Sequence, residues 1–370
     1  MGGLYVHIPY CRQACVYCNF HFKTGLKGAE EMVDGIVSEI ALRHAALGES
    51  VETIYFGGGT PSFLPPVLLS EIFKALHQYF DLSGVKECTL EANPDDITPD
   101  NLKQWKALGV NRFSIGVQSF IEEELRWMNR AHSAEQSKVC IEMALAEGFE
   151  VSADLIFGLP GSTNEGWLNN LEIMNSLGVH HLSCYGLTLE SGTAWEKLIQ
   201  RNSYKGPDET AGSEQFMLTM DFLRNNGWDH YEISNYCRPE YEAKHNTAYW
   251  QNKPYLGFGP SAHSYNGSER QWNIADNARY TEALLKGQTV YEKEILTPEN
   301  KINEYLMTAL RTKWGIQPSV ISNAGFDADS IVSELEKLIK EGKTEKFEDR
   351  YRLTALGKCY ADAIAASLFV

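Results

Sequence analysis

Long apolar runs are missing from this chain of 370 residues. No stretch approaches the roughly 20 consecutive apolar residues of a membrane helix, which argues against direct membrane insertion. A secretion signal is missing too: Met1 leads straight into Leu4-Tyr5-Val6-His7-Ile8-Pro9, with no basic segment, apolar segment or small-residue cleavage site, so a cytoplasmic protein is expected. Positive charge is in short supply. Lys and Arg total 33 against 49 Asp and Glu, a formal net charge of −16. No dense basic stripe offsets this, so nucleic acid is a poor partner. The same acidity disfavours direct contact with anionic lipid but leaves docking to a membrane protein open. Eight cysteines in a chain this long do not make a secreted disulfide framework. Five of them, Cys88, Cys140, Cys184, Cys237 and Cys359, stand apart and are expected to be buried structural thiols. The other three fall within eight residues and need their own explanation.

What the chain does have is alternation. Short apolar runs at Leu4 to Ile8, Thr53 to Phe56, Glu87 to Glu91, Arg112 to Val117, Val151 to Phe157 and His181 to Leu187 are separated by helical patterns. The helices are expected at Ala29 to Leu47, Pro66 to Tyr79, Pro99 to Leu108, Ala134 to Glu147 and Asn164 to Ser176. Gly109, Gly148 and Gly178 supply stop signals. This order predicts an α/β protein whose parallel sheet curves into a full or partial (β/α) barrel, with ligands at the C-terminal strand ends. Composition and length allow one large domain and a smaller one. The barrel core is placed at residues 1–200 and a loop-rich, aromatic extension at 201–285. A small C-terminal α+β domain at 286–370 has a hairpin around Lys346 to Leu353 and is expected to resemble a winged helix.

Cys11, Cys15 and Cys18 have the spacing CxxxCxxC just after the first strand. Three thiolates on one loop can ligate three irons of a 4Fe-4S cubane and leave the fourth iron open. A zinc site would need a fourth ligand, for which His7 and His21 are candidates. Gly57-Gly58-Gly59-Thr60 ends the second strand, where glycine permits close backbone approach to a ligand.

The cysteine spacing resembles the radical S-adenosylmethionine superfamily, in which the open iron chelates the amino and carboxylate groups of that cofactor. Four further strings narrow the resemblance: Tyr5-Val6-His7-Ile8-Pro9, Leu90-Glu91-Ala92-Asn93-Pro94, Gly116-Val117-Gln118-Ser119-Phe120, and Asp154 through Gly161. They are similar to oxygen-independent coproporphyrinogen III oxidases and their HemW relatives, proteins of the porphyrin pathway, over almost the whole chain. The resemblance implies that Tyr5, Gly58, Glu91 and Thr188 contact the cluster-bound S-adenosylmethionine. It places Tyr17, Gly59, Thr60, Gln118, Arg130 and Asp154 around the adjoining nucleoside or substrate pocket. One electron from the reduced cluster would then split the sulfonium into methionine and a 5′-deoxyadenosyl radical, chemistry that belongs to the cofactor.

Two residues after the third cysteine, the oxidases resemble one another in having a further cysteine, and this chain has Phe20. The oxidases also carry a longer segment ahead of the cluster. The string His245-Asn246-Thr247-Ala248-Tyr249-Trp250 instead resembles the HemW branch of haem chaperones. That branch implies haem ligated by His245 and flanked by Tyr249 and Trp250, with His263 as a second candidate ligand. It also implies a haem-accepting partner protein and an electron donor such as a flavodoxin or ferredoxin, and it admits a homodimer. Packing and loop hydrogen bonds are the competing role for these residues.

Overall fold

The computed structural model describes residues 2–370. Twelve strands share one sheet: β1 Gly2–Ile8, β2 Val51–Gly58, β3 Glu87–Ala92, β4 Arg112–Gln118, β5 Glu150–Phe157, β6 His181–Gly186, β7 Asp229–Glu232, β8 Asn235–Cys237, β9 Tyr255–Phe258, β10 His263–Tyr265, β11 Glu269–Asn273 and β12 Tyr291–Ile295. Their spatial order is β12-β11-β10-β9-β1-β2-β3-β4-β5-β6-β8-β7. The run from β9 through β6 is parallel, and antiparallel strands extend both ends. Because β1 pairs with β9 and β6 with β8, the barrel stays open: it is partial.

Helices cross over between the parallel strands: α1 Ala29–Arg43, α2 Pro66–Tyr79, α3 Pro99–Ala107, the short α4 Glu122–Trp127, α5 Ala134–Ala146 and α6 Asn164–Ser176. Gly109, Gly148 and Gly178 end α3, α5 and α6 with positive φ, where a side chain would be strained. The two faces of the strands differ in chemistry. Leu4, Val6, Ile54, Phe56, Leu90, Phe113, Ile115, Ala153, Leu155 and Leu182 face outward into one core beneath the helices. Cys88, Cys140 and Cys184 belong to it, which accounts for three of the scattered thiols. Cys237 is also buried, but Cys359 is exposed, its sulfur 3.7 Å from that of Met217, so its expected burial is corrected. Polar side chains occupy the intervening positions, among them His7, Tyr55, Glu87, Thr89, Glu91, Arg112, Ser114, Ser152, Asp154 and Ser183. A polar lumen suits a binding site rather than a packed barrel core.

Past residue 200 the chain is far from the loop-rich extension expected. It contains α7 Ala194–Gln200 just before that point, then α8 Glu209–Asn225, α9 Lys244–Trp250 and α10 Asn277–Leu285, together with six of the twelve strands. The strands are only three to five residues long, too short to show alternation. A buried polar hub holds this region to α1. Arg43 binds Glu39, the Gly257 carbonyl, Asn273, Ser264 and Gln271, while Glu39 accepts from the Gly259 amide, Tyr280 and Asn273. The C-terminal part has its own core, built from α11 Pro298–Leu310, α12 Pro318–Asn323, α13 Ala328–Lys340, a hairpin of β13 Thr344–Phe347 and β14 Arg350–Leu353, then α14 Ala355–Lys358 and α15 Ala361–Ser367. Among the described residues no helix is long and apolar enough to cross a membrane.

Candidate functional site

The cysteine loop leaves the C-terminal end of β1 and is tied down from several sides. The Gly25 amide donates to the Cys11 carbonyl (2.9 Å) and the Val16 amide to Met128 (3.2 Å). The Trp195 amide donates to Val16 (2.8 Å), and the Asn129 amide side chain to Ala14 (2.7 Å). Thr60 Oγ1 points at Cys11 Sγ (3.4 Å) and Arg130 Nη1 at Cys15 Sγ (3.3 Å). The three sulfurs do not all lie within 4.8 Å of one another. A tetrahedral zinc with Zn–S near 2.3 Å would draw them to about 3.8 Å apart. Of the two candidate histidines, His7 has both ring nitrogens engaged, by Tyr5 and the His21 carbonyl, whereas His21 spends one on Asn277. Three separated thiols around one loop fit a cubane instead. As free thiols, Cys11 is pushed up to about 12 and Cys18 to about 11 by burial, so cluster assembly must displace their protons.

Beside the cysteines a cavity of about 450 Å³ spans the C-terminal strand ends. Of the residues the resemblance pointed to, Tyr17, Gly58, Gly59, Thr60, Glu91, Gln118, Arg130, Asp154 and Thr188 all line it. Tyr5 does not. Its ring lies beneath, stacked on Tyr55 at 6.1 Å, with its hydroxyl on His7. Glu91 is held by the Tyr55 hydroxyl (2.7 Å) and the Gly58 amide (3.2 Å). Burial raises Glu91 to about 7 and Asp154 to about 6. Arg130 donates to Asn93 (2.7 Å) and the Gly116 carbonyl (2.6 Å), while its Nε is buried with no partner among the described residues, a donor left for a ligand acceptor. The pairing of β4 with β5 skips Val117, and this bulge leaves Gln118 at φ +70°, aimed into the cavity.

Two sequence motifs also have close partners within the protein. The triple glycine is squeezed against the protein itself: a Cβ on Gly57 would fall 2.8 Å from Tyr55 and 3.0 Å from Glu91, and one on Gly59 2.7 Å from the Tyr10 carbonyl. The Gly158-Leu159-Pro160-Gly161 turn leaves the cavity and is fastened to α8 by a bond from the Gly158 amide to Gln215 (2.7 Å). Tyr55, Asn93, Ser114 and Tyr185 contribute to the site without having been singled out. Ser114 bonds both oxygens of Asp154 at 3.3 Å, and alternation along β4 is the signal that could have found it.

His245, expected from the resemblance to ligate haem, is engaged by the fold. It is not in a loop but in α9, which plugs the N-terminal mouth of the partial barrel, the end opposite the cysteines. Glu87 accepts from the Lys244 and His245 amides (2.7 and 2.9 Å). The imidazole is 2% exposed. Its Nδ1 is bonded to Thr53 (2.8 Å), its Nε2 to the Tyr249 hydroxyl (2.8 Å), and its ring stacks on Tyr55 at 5.2 Å. With both nitrogens engaged, no lone pair is open to iron. Asn246 joins the same plug through Tyr231, His181 and Ser152.

Comparison with known proteins agrees with this geometry. The sequence profile of the radical SAM superfamily matches residues 5–185. The haem chaperone HemW of Mycobacterium tuberculosis is 32% identical over 99% of this chain and 94% of its own length. That of Bacillus subtilis is 32% identical over 98% of both chains. The solved coproporphyrinogen III oxidase HemN of Escherichia coli superimposes with a TM-score of 0.85 over 100% of this chain and 90% of that one, at 24% identity, a likeness of fold. Cysteine loop, partial barrel and sequence similarity running nearly end to end together place the chain in the HemW family of the radical SAM superfamily.

Proposed function

We propose that this protein binds haem and delivers it to haem-accepting proteins, with a 4Fe-4S cluster on Cys11, Cys15 and Cys18 and S-adenosylmethionine in the adjoining cavity. The observation that carries this is similarity over nearly the whole of both chains to proteins named haem chaperones, including the half that lies outside the radical SAM profile. The side chain at position 20 supports it. Phe20 is 69% exposed on the wall of the cavity, where a thiol would be expected of an oxidase.

Each residue's task follows from its chemistry. The three thiolates hold the cluster, with Thr60 and Arg130 donating to two of the sulfurs and tempering their charge. Arg130 also presents Nε to a carboxylate, and Glu91 and Asp154 accept from ammonium or ribose hydroxyl groups. Bound in this cavity, the cluster and S-adenosylmethionine supply one-electron chemistry, for which a flavodoxin or ferredoxin is the fitting electron donor. The protein's share is to orient the groups and exclude water.

The second reading, oxidative decarboxylation of coproporphyrinogen III, is favoured by the shared fold and the intact cysteine loop. Anaerobic incubation of cluster-loaded, reduced protein with S-adenosylmethionine and coproporphyrinogen III separates the two. The expected result is no protoporphyrinogen, while the same preparation takes up haem. Multiple turnovers to protoporphyrinogen would establish the oxidase.

A further inference from the structure

With His245 sealed inside the barrel, the iron of a bound haem needs another ligand, and the ten histidines of the chain can be sorted by what their rings already do. His7, His181, His230 and His245 have both ring nitrogens hydrogen-bonded. His21, His44 and His132 each spend one nitrogen on the fold. His180 is stacked on Tyr241 at 4.2 Å, and His77 stands on the outer face of α2, away from the cavities described. Like His77 and His180, His263 has no ring hydrogen bond among the described residues, but it differs from them in being an exposed ring that lines a cavity of about 500 Å³.

We propose that His263 is the haem-iron ligand and that the cleft formed by Trp272, Ile274, Arg279 and Tyr291 receives the porphyrin. This rests on the haem-binding reading above and gives it a place. Trp272 is the cross-strand partner of His263, its ring 6.3 Å away, so a flat aromatic face stands beside the ligand. Ile274 and Tyr291 add apolar wall, and Tyr291 is itself backed by the Arg43 guanidinium at 5.1 Å. Arg279, on α10, makes no ion pair among the described residues and lines the same cleft, where it can pair with a propionate carboxylate. Partial desolvation against the cleft wall, with Arg270 nearby, lowers His263 and so favours the neutral imidazole that can bind iron.

The cleft is built on the polar hub and adjoins the cysteine loop. Arg43 fixes the Gly257 carbonyl and Glu39 the Gly259 amide, at the base of the turn that presents His263. Gly259 lies so close to His7 that a Cβ there would fall 2.4 Å from the His7 carbonyl oxygen. His7 in turn holds the His21 carbonyl (2.9 Å), and His21 reaches Asn277 (2.6 Å), the first residue of the helix that carries Arg279. Cargo and cluster thus sit on one contiguous piece of structure, while α9 closes the other end of the barrel. An open, half-walled cleft suits a ligand that must be given up again.

The test is a titration of the full-length, cluster-loaded protein with ferric haem, followed by the Soret band. Wild type is compared with His263→Gly, Arg279→Glu and His245→Phe. The expected result is a displaced Soret maximum and affinity weaker by about tenfold or more for His263→Gly, as for loss of a metal ligand. Free imidazole should restore the wild-type spectrum to that variant. Arg279→Glu should weaken binding by about fivefold with the Soret position unchanged, and His245→Phe should bind as wild type does. Wild-type spectrum and affinity in His263→Gly would overturn the assignment while leaving the haem reading intact. A wild type that takes up no haem would remove the haem reading, and this site with it.

Discussion

The chemistry of the cavity rests on two carboxyl groups that sit far from their ordinary range. Glu91 at about 7 and Asp154 at about 6 are raised by burial. An acid raised in the folded state keeps a proton that the unfolded chain has released, so the stability these two groups contribute to the ligand-free protein should fall as pH rises from about 4 to about 7 and then level off. A bound ammonium or sulfonium cation favours ionised Glu91, so S-adenosylmethionine binding should release protons below pH 7 and tighten with pH to a plateau above it. Calorimetry in two buffers of different ionisation enthalpy measures this. Glu91→Gln should flatten the profile and weaken binding by about tenfold, whereas a wild-type profile already flat between about pH 6 and pH 8 would show that Glu91 does not face the cation. At this scale the sequence was informative where chemistry is local: three cysteines within eight residues announce a cluster. It was silent on contacts such as Arg130 with Cys15, 115 positions apart, and on Tyr55, whose place under Glu91 depends on how two neighbouring strands pair.

Among the elements, α9 shows how a motif can be legible while its role is not. The string from His245 to Trp250 stood out by composition, but nothing local says that its imidazole will meet Thr53, 192 residues earlier, or that Glu87 will receive the helix amides. Sequence order also hid the strands that continue the sheet past β6 and β1, because three to five residues carry too little pattern. His245 is lowered to about 4 by burial. A base lowered in the folded state gives stability that is full above its ordinary value of 6.5 and is lost as pH falls toward 4. His245→Phe keeps the ring on Tyr55, drops both hydrogen bonds, and should cost about 2 kcal/mol near pH 7. It should also remove this part of the acid sensitivity. Urea unfolding at pH 5 and pH 7.5 compares the two proteins, and an equal acid loss in both would show that His245 is not the titrating group. Gly3 offers a second handle, since a Cβ there would lie 3.0 Å from His245 Cε1: Gly3→Ala should destabilise the plug without touching the cysteine loop.

For the molecule as a whole, two ends of one open barrel carry different duties. The C-terminal strand ends hold the cysteine loop, the cavity and the His263 cleft, and the N-terminal mouth is closed by α9. Between the outer strands and α1 lies the Glu39–Arg43 hub, with both side chains almost fully buried. Arg43→Ala would strand the Glu39 carboxylate and should cost about 3–5 kcal/mol, read as a fall in thermal midpoint. Because the hub anchors the turn before His263, the Soret band of bound haem should broaden in the same variant. The parallel core, its crossover helices and the terminal hairpin were legible in the sequence because each repeats a local pattern; the hub was not, since its members come from five separate segments. Cargo handover is what separates a haem chaperone from a protein that merely holds haem. Haem-loaded protein, freed of unbound haem, is mixed with an apo haem protein, and the acceptor's own Soret spectrum is followed with time. For a chaperone the acceptor spectrum should grow as the donor's declines, faster than haem is lost from the donor alone; haem that stays on this protein, or leaves at the same rate with and without acceptor, would rule out delivery.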